Sequence, residues 1–257
     1  MFQSYIYKVH ANLIQLKKTI KRLAIASTII GIKNRPIVIW FIPLQNKRLL
    51  PKTKDSIITS ENINAAYTYT NNEYIYIYRD EEFPKVMLHE MIHKSPLHII
   101  NWDTASEQRL YDFFKIHDST FLIPNEAVVE TWANILQCCF VACEHNMKFS
   151  DVKIMLKREA DWALHLASKM VKYGYKPNNN NNKLWYEKTH SFSYIIFRSC
   201  FLHRLDEFIA ISSDSIKLTE MIINKCHINQ NKNKNQNKNI LTNDNKNSMR
   251  MTIFGDF

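Results

Sequence analysis

Two histidines four residues apart constrain this chain more than any other feature of it. They stand in the run His89-Glu90-Met91-Ile92-His93. On a helix, positions i and i+4 share a face, so His89 and His93 can present two imidazoles to one metal ion. Glu90 lies roughly 100° further round the helix, near enough to reach a metal-bound water without ligating the metal itself. The flanking residues suit such a helix. Strict Tyr/Ile alternation from Tyr74 to Tyr78 predicts a strand. Asp80, Glu81 and Glu82 fit the positive end of a helix, and Pro84 fits its first turn. Val86, Leu88, Met91 and Ile92 then supply the apolar faces. The competing reading is an ordinary helix with two surface or core histidines.

Composition narrows the class. Hydrophobic residues make up 46% and aromatics 12%, which predicts a globular chain with a substantial core. Three glycines, with no G-x-G-x-x-G or P-loop pattern, argue against a glycine-rich nucleotide-binding fold. The net charge of +10 admits nucleic acid or an anionic membrane as partners, but equally follows from Lys/Asn/Ile-heavy usage throughout. Cys138, Cys139, Cys143, Cys200 and Cys226 are odd in number and lack C-x-x-C spacing, which favours a reducing compartment over a disulfide framework. Lys8, Lys17 and Lys18 interrupt any signal-peptide pattern. The most apolar run, Pro36 to Leu44, is too short to span a bilayer. A soluble, intracellular protein is expected.

Periodicity places the elements. Ile6, Val9, Leu13, Leu16, Ile20 and Leu23 predict a helix within residues 1–30, with Lys17, Lys18, Lys21 and Arg22 as a basic solvent face. Residues 36–43 read as a buried strand, and 63–69 as another strand before an Asn71-Asn72 turn. With 74–79 they predict a small mixed or antiparallel sheet beside the metal helix. Helices are expected over 104–116, 124–143, from a Ser150 cap to Gly174, over most of 187–211, and over 215–225. The expected fold is a helix-rich α+β domain over 31–225, followed by a disordered Asn/Lys-rich tail over 226–257. His98 and His117 are expected at the surface or supporting ligands rather than as ligands.

Two imidazoles need a third protein ligand to hold zinc with one position left for water. Asn125-Glu126-Ala127-Val128-Val129-Glu130 supplies two carboxylates on one helix face beside apolar residues, where their burial demands a cation or hydrogen-bond donors. Either Glu126 or Glu130 can be the ligand, and a solvated acidic face is the ordinary alternative.

The pair of motifs resembles the thermolysin-like gluzincins, zinc metallopeptidases with H-E-x-x-H followed by N-E-x-x-x-D. The resemblance covers roughly residues 60–135. It implies a zincin-like fold, one Zn2+ held by His89, His93 and Glu126, and Glu130 orienting His89 by a hydrogen bond. Glu130 stands where the family has Asp, which lengthens the reach. The gap between His93 and Glu126 is longer than in thermolysin, with an apparent extra helix. More loosely, the segment from Ile63 through the motif helix resembles metalloprotease-like proteins of giant DNA viruses, which would make the protein viral. The implied chemistry is peptide hydrolysis with Glu90 as general base. The strand 74–79 is a candidate edge for pairing with an extended peptide. Tyr194 and His190, in Thr189-His-Ser-Phe-Ser-Tyr194, are candidate donors to a developing oxyanion, a task gluzincins commonly give to a downstream Tyr or His. The alternative function is a basic, helical interaction or nucleic-acid-binding protein keeping a structural or inactive metal site.

Overall fold

The computed structural model describes residues 13–32, 36–53, 55–98, 101–177, 183–226 and 247–256. A long central helix, α5 (Asn125–Glu144), separates two apolar cores. Ala127 and Val128 face one core, while Val129, Ala133, Leu136 and Phe140 face the other. The expected α+β, helix-rich fold is what the structure shows.

The second core joins α1 (Leu13–Ile29), a three-stranded sheet and α3 (Phe83–Ile92) to α5. Leu16, Leu23 and Ala26 of α1 pack there with Leu88, Met91 and Ile92 of α3, so the N-terminal helix shares the core with the motif helix. Leu88, Met91 and Ile92 are fully buried; each such side chain stabilises the fold by about 1.5–3 kcal/mol. Residues 1–12, including Ile6 and Val9 of the expected stripe, lie outside the described residues. Lys17, Lys18 and Lys21 face solvent. Arg22 does not: it is buried, bonds Glu144 at 2.7 and 2.6 Å and donates to Gln137 at 3.2 Å, tying α1 to α5.

The sheet has the order β1 (Val38–Leu44), β4 (Tyr74–Arg79), β3 (Ala66–Thr68), with β1 parallel and β3 antiparallel to β4. Two expectations are corrected here. The strand 74–79 is central, paired on both sides, and so is not an edge. The strand expected to be buried at 36–43 is itself an edge, with Val38, Trp40, Ile42 and Leu44 exposed. Its run of apolar residues reads as a core strand because both faces are apolar, yet only alternate residues, Ile37, Ile39 and Phe41, pack inward. Short helix α2 (Ser60–Ile63) precedes β3, which covers only Ala66–Thr68 of the strand expected over 63–69.

The first core lies between α5 and α4 (Thr104–Phe114), α6 (Phe149–Gly174), α7 (Arg198–His203), α8 (Leu205–Ile211) and α9 (Ser215–Lys225). Helix α6 starts one residue before Ser150, with Asp151 accepting from the Lys148 amide at 2.8 Å. The stretch expected as one helix over 187–211 is broken. It begins as a short strand, β7 (Glu187–Lys188), pairing with β2 (Ile58–Thr59), and continues through a wide π-type helical segment over Phe192–Phe197 into α7. Arg204 (φ −129°) then separates α7 from α8. A hairpin of β5 (Tyr175–Pro177) and β6 (Lys183–Trp185) follows α6, and its Trp185 ring fills the space beside Gly174, where a side chain would collide with it.

The chain end departs most from expectation. Residues 227–246 lie outside the described residues, but 247–256 are not a disordered tail. Met249 and Met251 enter the first core, and two buried carboxylates grip the backbone between them. Glu82 accepts from the amides of Met251 (3.0 Å) and Thr252 (2.8 Å). Glu159 accepts from those of Ile253 (3.0 Å) and Phe254 (3.1 Å) and from the Thr252 hydroxyl. The Asn/Lys bias stops at Asn247, and alternate apolar residues Met249, Met251 and Ile253 follow it. Among the described residues no helix is long and apolar enough to cross a membrane.

Candidate metal centre

Helix α3 begins abruptly. Glu82, at its N-cap, adopts φ 62° and turns its carboxylate away to Arg48 (2.5 Å) and the C-terminal backbone rather than capping the helix. Pro84 occupies the first turn, as expected. From there Lys85, His89 and His93 fall at i, i+4 and i+8 on the face turned to α5. The two helices run antiparallel at this contact, and the acids of α5 alternate with the bases of α3. Lys85 pairs with Glu130, His89 lies between Glu130 and Glu126, and His93 meets Glu126.

The geometry brings three ligand-type atoms together. Nε2 of His89 and Nε2 of His93 are 3.1 Å apart. One Glu126 oxygen lies 3.2 Å from the first and 3.5 Å from the second. These three residues form a group that could hold a metal ion. Glu130 is on the other side of the His89 ring, its carboxylate 2.7 Å from Nδ1. The structure thus separates the two acids: Glu126 faces both Nε2 atoms, and Glu130 faces Nδ1.

Charge shapes this cluster. Glu130 is buried and takes hydrogen bonds from the Lys85 ammonium and, at 3.1 Å, from Arg198 of α7. Burial works against the Glu130 charge, but Lys85, His89 and Arg198 outweigh it and hold the carboxyl below its ordinary range. Glu126 is likewise held well below that range: burial opposes its charge, and His93 and His89 prevail. His89 loses solvation on burial, yet its bonds to Glu126 and Glu130 push it up to about 10. Glu130 has Lys85 and Arg198 as counter-charges, whereas Glu126 has only the two imidazoles. The counter-charge of Glu126 is therefore either an imidazolium or a metal ion.

Glu90 is buried, and no described residue donates a hydrogen bond to its carboxylate. Burial raises its pKa, with His89 and His93 pulling the other way.

His93 is oriented by groups that the motif did not announce. Its Nδ1 lies 3.0 Å from Nδ1 of His98, which ends a short 3-10 turn after α3. Asn125, at the start of α5, donates Nδ2 to the same His98 nitrogen at 2.7 Å and to the His98 carbonyl at 3.2 Å. Burial and the neighbouring His93 push His98 down to about 4, so it is neutral. Residue His117 is elsewhere, bonded to Ser119.

The two proposed oxyanion donors fare differently. Neither contact of His190 involves the triad: Nδ1 meets the Phe121 carbonyl at 3.0 Å and the ring sits edge-on to Phe121. Tyr194 donates to Asn64 at 2.9 Å, with Thr189 at 3.3 Å. Burial, then the charges of Glu187 and Glu126, raise its pKa far above the usual phenol range, so it stays an O–H donor within the field of Glu126.

Lys85 and Arg198 were missed by motif reasoning. Each had a signal: a lone base among apolar residues, in Phe83-Pro-Lys-Val-Met-Leu88 and in Tyr194-Ile-Ile-Phe-Arg-Ser-Cys-Phe201. Compared with protein-family models, curated proteins and solved structures, the chain finds no match in any of the three.

Proposed function

We propose that this protein is a zinc-dependent metallopeptidase of gluzincin type. The observation carrying this reading is the convergence of two imidazole nitrogens and one carboxylate oxygen beside an unbonded, buried Glu90. The donor set fits zinc. A tetrahedral ion with bonds of about 2.0–2.1 Å requires ligand atoms about 3.3 Å apart, and those of His89, His93 and Glu126 are separated by 3.1, 3.2 and 3.5 Å. The His₂Glu composition agrees with that assignment.

A zinc ion held there would lower the pKa of a water molecule to about 7 and polarise a scissile carbonyl. Glu90 accepts the proton of the attacking water and returns it to the leaving amine; a carboxylate with a raised pKa suits both transfers. Glu130 accepts from Nδ1–H of His89, so that Nε2 keeps its lone pair for the metal. Tyr194 is the better placed of the two oxyanion donors, its hydroxyl leaving Asn64 for the developing charge. An extended peptide would pair with β3 rather than β4, since β3 has one edge with no strand partner among the described residues and an exposed Tyr67.

Glu90→Gln is the test. The variant keeps its zinc and loses peptide hydrolysis by a factor of about 10²–10⁴, measured on a peptide library. Continued cleavage at the wild-type rate would remove Glu90 as the base. Salt-sensitive DNA or RNA binding without cleavage of any peptide would favour the basic interaction protein instead.

A further inference from the structure

We infer that His98 is a positioning residue for His93, and that a backbone carbonyl, acting through Asn125, sets the tautomer of this ligand. The inference rests on the metal reading of His89, His93 and Glu126, but its logic is independent of any metal.

The His98 carbonyl can only accept. It lies 3.2 Å from one amide atom of Asn125, so that atom must be the nitrogen, Nδ2. The same Nδ2 is 2.7 Å from Nδ1 of His98. Facing an N–H, that ring nitrogen presents its lone pair, which places the His98 ring hydrogen on Nε2. His93 Nδ1 lies 3.0 Å from the same lone pair. It can only be a donor there, so His93 carries a hydrogen on Nδ1, and in the neutral ring, the form that ligates a metal, Nε2 is left free. Nε2 is the atom facing Glu126 and His89.

The reversed amide is disfavoured at the carbonyl. Asn125 Oδ1 facing His98 would repel its carbonyl oxygen at 3.2 Å and demand Nδ1–H on the ring. His93 Nδ1 would then have to accept, which puts the hydrogen of a neutral His93 on Nε2, the atom turned to Glu126 and His89. The chosen orientation has a cost: Asn125 Oδ1 is buried with no hydrogen-bond partner among the described residues. An orphaned buried oxygen costs about 1–3 kcal/mol, and it is tolerated here because the nitrogen is needed on the His98 side.

The experiment compares the full-length chain with His98→Ala and His98→Gln. The half-exposed position of His98 lets both variants fold. Zinc affinity is read by chelator competition, and the tautomer of His93 by nitrogen-15 NMR of the metal-free chain. His98→Ala should weaken zinc binding about 10–100-fold and release His93 to a mixture of tautomers. His98→Gln, which restores an acceptor oxygen, should recover most of both. Unchanged affinity and an unchanged Nδ1–H His93 in His98→Ala would overturn the inference. If the wild-type chain binds no zinc, the metallopeptidase reading fails by itself, and the metal-free tautomer still decides the role of His98.

Discussion

The two histidines of the motif are held by opposite means. His89 leans on a buried carboxylate, Glu130, which is fixed by Lys85 and Arg198, and Arg198 in turn donates to the Met251 carbonyl at 2.7 Å. His93 leans on a neutral imidazole and an amide, both close to it in the fold, the imidazole partly open to solvent and the amide buried. The first support is charged, deep, and reaches the C-terminal segment. The second is uncharged and local. A charged acceptor makes an imidazole more electron-rich and binds it strongly, but burying it requires counter-charges drawn from distant parts of the chain. A neutral acceptor fixes the tautomer at lower cost and with less grip. One site can therefore be anchored to the core on one side and adjustable on the other.

This contrast orders the expected effects of substitution. Deleting residues 247–257 should be the most damaging, because it strips the hydrogen bonds from buried Glu82 and Glu159 and the carbonyl from Arg198. Leaving even one buried charge unpaired costs about 3–5 kcal/mol, comparable to the whole stability of many domains; circular dichroism should show loss of cooperative melting. Glu130→Ala follows, at about 3–5 kcal/mol in denaturant unfolding, since Lys85 and Arg198 then lose their counter-ion. Asn125→Leu removes the two hydrogen bonds holding His98, each worth about 0.5–1.5 kcal/mol, and should lower zinc affinity while leaving the His89–Glu130 bond intact by NMR. Tyr194→Phe should be mildest for stability, near 1 kcal/mol for one lost hydrogen bond, and its effect should fall on the turnover number rather than on metal content. Were Asn125→Leu as damaging to stability as Glu130→Ala, the supposed difference between the two supports would disappear.

How much of this could be read from the sequence follows the same division. Helix periodicity is local, so His89, His93, Glu126 and Glu130 were visible as two i, i+4 pairs, and their antiparallel meeting follows once both faces are buried. His98 was legible only as a surface or ligand-supporting residue: it lies five residues past His93, beyond the helix end, where no periodicity says which ligand it meets. Arg198 and the C-terminal segment were hidden for a different reason. Glu82 and Glu159 bind backbone amides, which every sequence possesses, so no side-chain pattern marks their partners. Acidic residues before a helix fit its positive end, yet the Glu82 carboxylate turns to Arg48 and the C-terminal backbone. The strand errors are also non-local. Whether 74–79 is an edge depends on Val38–Leu44 pairing with it from across the chain, and an apolar run alone does not say which of its faces is covered.

The central claim is tested most directly by metal analysis of the purified full-length chain beside Glu126→Ala. The account predicts close to one zinc per wild-type chain, and its loss from the variant while the fold, followed by circular dichroism, is kept. A wild-type chain that stays metal-free after exposure to zinc, or a Glu126→Ala chain that holds zinc as tightly as wild type, would contradict it.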